Sequence, residues 1–394
     1  MGDDNTGWLR ELELELEEAE SAGMLRTRRI CGGASNPEME LDGQATVQFA
    51  SNNYLGLTTH PRVLAAAKAA LEQYGTGAGA SRLVGGGSLA VHAELEDALA
   101  AFKGQPAALV YATGSMANMG LLSGLCGDKD LLVLDKACHA TLYDGALLSG
   151  AELRRFPHQD LSRLDALLAK ERPGKRRVVV AVEGVYSMDG DIAPLPELLK
   201  VARKHRALVV VDEAHSTGVL GAGGRGILEH FGLGPQPDVI LCGTLSKALA
   251  SLGGFVAGPR VLIETLVNRS RSFIYATALP ASAAAAALEA LRVIQSEPIH
   301  LQKLRERRQE LTDGLTALEW SYGASLSPIL PILVGKAADA VILEERLRRE
   351  GYYVPAMRPP TVPAAACRLR LSVSARHSAE QVRLFLRALG EKPC

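Results

Sequence analysis

The sequence predicts an α/β fold: a large domain built on a mostly parallel sheet, then a smaller α+β domain at the C-terminus. Three observations carry this reading. Short apolar β-branched runs, Val-Val-Val at 209–211 and Val-Ile-Leu at 239–241, are bounded by Gly and polar residues, as strands buried on both faces of a parallel sheet are. Helical patterns alternate with such runs through the middle of the chain. Beyond residue 327 the pattern changes to short strands and helices, including the period-two run Arg-Leu-Arg-Leu-Ser-Val-Ser at 368–374. A length of 394 residues is long for one core. The expected division is an N-terminal arm at 1–50, the large domain at 51–290 and the small domain at 291–394.

Hydrophobic residues make up 47% and charged residues 22%, both ordinary for a globular protein. A net charge of −1 gives no field that would draw nucleic acid or an anionic membrane, so neither is an expected partner. No apolar stretch is long enough to span a bilayer and the N-terminus is acidic, which predicts a cytoplasmic protein. The six cysteines form no CxxC pair and are expected to be reduced. Cys138 and His139 have no further ligands at zinc-like spacing, so no metal is expected.

Taken in order, residues 8–22 are rich in Glu and Leu, both strong helix formers, and predict a helical arm. A basic turn with Arg26, Arg28 and Arg29 follows. In the segment 49–57, Asn52 offers a donor and an acceptor together. Residues 61–74 read as a helix, with Pro61 at its start and Gly75 as its stop. The stretch 75–87 is too Gly-rich for a regular element, and the G-x-x-x-x-G-K-[ST] pattern is absent. A helix then runs to Phe102. Strand 107–112 meets Thr113-Gly114-Ser115 at the head of a helix expected at 116–125. Such a junction leaves unpaired backbone N–H groups that bind phosphate well, so Gly114 and Ser115 are the expected phosphate site.

Strand 131–134 leads towards His139, and strand 177–182 leads into Glu183 and the loop to Asp191. Gly221-Ala222-Gly223-Gly224-Arg225-Gly226 fits G-x-G-x-x-G, but the preceding strand ends near Asp212, and Asp238 comes only 12 residues after Gly226. A dinucleotide fingerprint follows its strand directly and has an acid about 20 residues on. The stretch is read as a Gly-rich loop, which argues against an NAD-binding oxidoreductase. Strand 252–258, helix 259–268 and a long helix from 281 follow, with a hinge at Pro298 and a second helical run to 318. The small domain takes strands 329–334, 352–354 and 368–374 and helices 337–349 and 379–389.

Ligands of open α/β sheets sit at the carboxyl ends of the strands. Asp212, His215, Thr244, Ser246 and Lys247 should therefore converge on one crevice. Those residue types suit pyridoxal phosphate, which needs a lysine for a Schiff base, an acid beside its pyridinium nitrogen and donors for its phosphate. Asp212 would keep that nitrogen protonated. Lys247, its amine pKa lowered by its surroundings, would hold the aldehyde and serve as the base.

Residues 212–226, DEAHSTGVLGAGGRG, and 243–258, GTLSKALASLGGFVAG, resemble the pyridoxal-phosphate-dependent α-oxoamine synthases of fold type I. The likeness extends from about Phe49 to the C-terminus. Members condense an amino acid with an acyl thioester and release carbon dioxide. The resemblance implies further roles. His139 would stack on the cofactor ring and join Lys247, Asp212 and His215 as a catalytic residue. Ser187, within EGVYSMDGD, would bond the cofactor hydroxyl, with Glu183 and Asp189 in support. Thr277 would reach the neighbouring subunit's phosphate, which makes a homodimer part of the site.

On the substrate side the resemblance implies Asn52 and Arg370, the latter gripping the amino-acid carboxylate with its guanidinium fork. Arg368 faces the same side by period two, so a swap between the two arginines stays open. Arg26 best matches an arginine that touches substrate in members using pimeloyl thioesters. The loop Arg358-Pro359-Pro360-Thr361-Val362-Pro363 resembles those members more than glycine C-acetyltransferase or 5-aminolevulinate synthase, which implies substrate roles for Arg358 and Thr361. Ala365 stands where they usually have Gly, at about 1 kcal/mol if the position needs positive φ. The implied reaction joins L-alanine to a pimeloyl thioester, giving 8-amino-7-oxononanoate. Glycine with acetyl-CoA is the alternative pair.

Overall fold

Seven strands form the central sheet, in the order Ala107–Tyr111, Gly254–Gly258, Val239–Thr244, Leu208–Asp212, Val178–Glu183, Leu131–Asp135 and Glu152–Phe156. The computed structural model describes residues 6–22, 24–359 and 361–392, so Pro360 of the proline-rich loop and Cys394 lie outside the described residues. Neighbouring strands are parallel except at Gly254–Gly258, which runs antiparallel to both of its neighbours. The fold is the α/β architecture expected from the buried β-branched runs.

Alternate residues of each central strand face opposite layers. Leu132, Val179, Val210 and Ile240 pack with Ala117 and Leu121 of helix Gly114–Leu125. Val133, Val180, Val209 and Val239 belong to the larger cluster on the other side. That layer includes helices Pro61–Tyr74, Ala90–Lys103 and Ala281–Ser296. Four adjacent strands end in polar side chains at their carboxyl ends: Asp135, Glu183, Asp212 and Thr244. This row builds the floor of the site.

A second, antiparallel sheet of Ile329–Gly335, Cys367–Ser372 and Ala356–Met357 lies in the C-terminal part, with helices Ala337–Arg349 and Ala379–Leu389. Every residue of Cys367–Ser372 is buried, so Arg368 and Arg370 are both inside the molecule.

Several expectations change. The helix after Thr113 begins at Gly114 rather than Met116, because the Thr113 hydroxyl caps it by accepting from the Met116 N–H at 3.1 Å. The N-terminal arm is more than a helix. Glu38–Leu41 and Gln44–Gln48 form a hairpin whose turn residues, Asp42 and Gly43, both have positive φ. Tyr352–Tyr353, from the strand expected at 352–354 in the small domain, instead adds to that hairpin in parallel, away from the C-terminal sheet. The boundary expected after residue 290 falls inside the continuous helix Ala281–Ser296, and the break comes at Glu297 and Pro298. Ala365 sits in the 3-10 turn Ala364–Ala366 without positive φ, so no glycine penalty arises there. Among the described residues no helix is long and apolar enough to cross a membrane.

Candidate active site

The strand Val239–Thr244 delivers Lys247 over the end of the sheet. Thr244 Oγ1 accepts from the Ser246 N–H at 3.2 Å and donates to the Gly253 carbonyl at 3.0 Å, which tightens the turn in between. Lys247 Nζ then stands 2.7 Å from His215 Nε2. On the other ring nitrogen, His215 Nδ1 lies 2.6 Å from the Tyr54 hydroxyl, which is 3.1 Å from Asn52 Oδ1. Arg370 Nη1 comes within 3.4 Å of the same amide oxygen.

The protons of this row can be assigned. Burial, with Lys247 and Arg370 nearby, holds His215 well below the ordinary histidine value, so its ring is neutral. The Tyr54 hydroxyl has one proton, which it gives to Asn52. His215 Nδ1–H therefore donates to Tyr54, and Nε2 accepts from Lys247. Burial also lowers the Lys247 amine to about 8, with Arg370 reinforcing the shift and Asp212 and Glu183 opposing it. A buried amine poised near neutrality can exist as the free base that nucleophilic and general-base chemistry need.

Asp212 is aimed by two donors, Asn118 Nδ2 at 2.7 Å and the Ala214 N–H at 2.9 Å. Glu183 sits beside it on the neighbouring strand. Burial and the Asp212 charge push the Glu183 carboxyl up to about 8, while its Oε2 accepts from the Ser187 N–H at 2.9 Å. Glu183 therefore keeps its proton near neutral pH.

Gly114, Ser115, His139, Glu183, Asp212, Thr244, Ser246 and Lys247 line one cavity of about 250 Å³. At its rim, a Cβ on Gly114 would lie 3.1 Å from Thr244 Cβ and Oγ1, so glycine keeps that wall open. The start of helix Gly114–Leu125 and the hydroxyls of Ser115, Thr244 and Ser246 stand together at one end of this cavity, donors that could hold an anion. Asp212 and Lys247 supply a carboxylate and an amine in the same cavity. This donor set fits a phosphate-bearing aldehyde with a basic ring nitrogen.

A larger cavity of about 800 Å³ adjoins the first through His139 and is lined by His158, Tyr186, Asp189, Thr361 and Arg368. Arg368 is neutralised there by a hydrogen-bonded ion pair with Asp189. Arg370 instead binds the Ser187 carbonyl and Ser372 Oγ and leans towards Asn52, with no carboxylate partner among the described residues. Burial works against a charged His158, yet its hydrogen bonds to Asp135 and Asp191 outweigh it and push it up to about 10.

Other expected site residues lie away from Lys247. Ser187 lines the larger cavity, and its backbone joins Glu183 to Arg370. Thr277 is exposed and pairs with Ser81 of the Gly-rich stretch. Arg26 is exposed in the basic turn. That turn is tied to the proline-rich loop, since Arg358 Nη2 donates to the Leu25 carbonyl at 3.2 Å. The Thr361 N–H in turn donates to the Arg358 carbonyl at 3.0 Å. Tyr54 and Asn118 were missed as site residues. Tyr54 stood two residues after Asn52. Asn118 lies one helical turn beyond Gly114, on the face turned towards Asp212.

Residues 45–389 match the aminotransferase class I and II family. The chain belongs to that family. Within it, the chain belongs with the α-oxoamine synthases. It is similar to a putative 8-amino-7-oxononanoate synthase of Desulforudis audaxviator, 48% identical over 96% of this chain and 98% of the relative. It is similar to the 8-amino-7-oxononanoate synthase of Methylococcus capsulatus, 46% identical over 95% and 96% of the two chains. Among solved structures it resembles a serine palmitoyltransferase from S. paucimobilis with bound PLP, with a TM-score of 0.90, 34% identity and coverage of 98% and 97%.

Proposed function

We propose that the chain is a pyridoxal-phosphate-dependent synthase that joins L-alanine to a pimeloyl thioester, releasing carbon dioxide and the thiol and forming 8-amino-7-oxononanoate for biotin biosynthesis. The observation that carries the reading is the shared cavity of Lys247, Asp212 and the start of helix Gly114–Leu125. Identities of 46% and 48%, across nearly the whole chain, to proteins named 8-amino-7-oxononanoate synthase and putative 8-amino-7-oxononanoate synthase support the substrate pair.

Lys247 holds the cofactor and later carries the proton taken from the alanine Cα. Its lowered pKa makes both tasks feasible near neutral pH. Asp212, held by Asn118, would pair with the ring nitrogen. Gly114, Ser115, Thr244 and Ser246 bind the phosphate, and Thr277 of a second copy completes it in a homodimer. His139, which lines the same cavity, would stack on the ring, and Ser187 would bond its hydroxyl. When bound, pyridoxal phosphate supplies an electron sink for the carbanion at Cα. Arg370 and Asn52 bind the alanine carboxylate. Arg370 is suited to this because Asp189 already occupies Arg368. Arg26, Arg358 and Thr361, brought together where the basic turn meets the proline-rich loop, would contact the thioester. Holding both substrates together in this crevice lowers the entropic part of the barrier.

The test is thiol release by the cofactor-loaded protein with L-alanine plus pimeloyl-CoA, against glycine plus acetyl-CoA. Preference for the first pair supports the reading. Preference for the second moves the enzyme to glycine acyltransfer.

A further inference from the structure

Far along the chain from Lys247, three segment ends meet. His60 caps the start of helix Pro61–Tyr74, Glu297 follows helix Ala281–Ser296, and His300 lies in the first turn of helix Ile299–Ala317. Both histidines turn Nε2 towards one oxygen. His60 Nε2 is 3.2 Å and His300 Nε2 is 3.3 Å from Glu297 Oε2. The rings are 5.4 Å apart and nearly perpendicular, at 77°.

We propose that His60, Glu297 and His300 form a binding site for a divalent transition-metal ion of the zinc class. The three ligand atoms all lie within 4.8 Å of one another. A tetrahedral ion with bonds of about 2.0–2.1 Å separates its ligands by roughly 3.3 Å, close to the two measured edges. Two imidazoles and one carboxylate are a ligand set that zinc accepts while keeping a fourth position for water. Side-chain exposures of 14% for His60, 19% for His300 and 31% for Glu297 leave that position open to solvent.

The surroundings support the same reading. Arg62 Nη1 holds the other carboxylate oxygen, Glu297 Oε1, at 2.9 Å, which leaves Oε2 turned to the histidines. Ligating carboxylates are commonly fixed in this way from outside the coordination sphere. Arg62 is also paired with Glu289, which pairs in turn with Arg292, so the two arginines and two carboxylates balance and the case for an ion rests on the ligand geometry. An ion there would pin the residue that precedes one long helix to the joint between two others. The pattern was hidden in the sequence because His60 is separated from Glu297 and His300 by most of the large domain.

The test uses the full-length holoenzyme, freed of adventitious metal with a chelator and titrated with Co²⁺ alone. The visible ligand-field band of tetrahedral Co²⁺ should saturate at one equivalent per chain, and Zn²⁺ should displace it. His300→Ala and, as a milder change, His60→Gln should each weaken binding at least about tenfold with unchanged circular dichroism. Absence of the band in the wild-type protein overturns the proposal. So does a band that persists at unchanged affinity in both variants, which would assign it to other ligands such as the cysteines.

Discussion

Lys247 Nζ and His215 Nε2 are 2.7 Å apart, and the amine is the donor. A neutral His215 can only accept at Nε2 if Nδ1 carries the ring proton, and Tyr54 fixes that tautomer by accepting it at 2.6 Å. The amine is thereby held by a neutral partner, so it can lose its proton without breaking an ion pair.

Replacing Lys247 by Ala removes the only amine among the described residues that line the cavity. Turnover should fall by at least about 10⁴, beyond the 10²–10⁴ of general-base loss alone. The far-ultraviolet dichroism should stay that of the wild type. Full residual activity would remove Lys247 from the mechanism.

Tyr54→Phe leaves the His215 Nδ1–H buried without an acceptor. The expected cost is roughly 1–3 kcal/mol of stability in denaturant unfolding. Activity should fall as well, because the ring is free to take the other tautomer. A variant as stable as the parent would show that Nδ1 finds another acceptor.

Arg370→Ala should raise the KM for the amino acid by roughly a hundredfold, the equivalent of about 3 kcal/mol for a charge-assisted pair. Arg368→Ala should change it far less, because that guanidinium is already held by Asp189. Steady-state kinetics with varied alanine separate the two. The reverse ranking would exchange the roles.

Glu183 gives stability a pH signature. Its carboxyl rises from 4.5 to about 8 on folding, so the folded protein keeps a proton that the unfolded chain releases. The stability this contributes is full below pH 4.5 and is lost as pH rises towards 8. Glu183→Gln should flatten that decline in unfolding measurements across the window. Lys247 in cofactor-free protein acts the other way. Its amine falls from 10.5 to about 8, so stability is gained as pH rises between those values, and Lys247→Met should abolish the gain.

The sheet and its strand-end residues were legible because burial on both faces forces continuous β-branched runs, and those runs end where the polar groups begin. Asp212, Thr244 and Lys247 followed from that rule alone. The antiparallel strand Gly254–Gly258 was not separable from its parallel neighbours, since both kinds are equally buried. The hairpin at Asp42-Gly43 carried a readable turn signal, and the flanking Glu38–Leu41 and Gln44–Gln48 are polar enough to mask it. Asn118 and Tyr54 act through contacts with residues 94 and 161 positions away, and no local pattern encodes such pairings. Arg368 and Arg370 were interchangeable by period two, and only the Asp189 partner separates them.

The most direct test of the account is borohydride reduction of the cofactor-loaded protein, followed by peptide mass mapping. Reduction should fix one cofactor mass per chain on the peptide that contains Lys247, and alanine added beforehand should lower the yield. A label on any other lysine, or a protein that takes up no cofactor, would contradict the site described around Lys247 and Asp212.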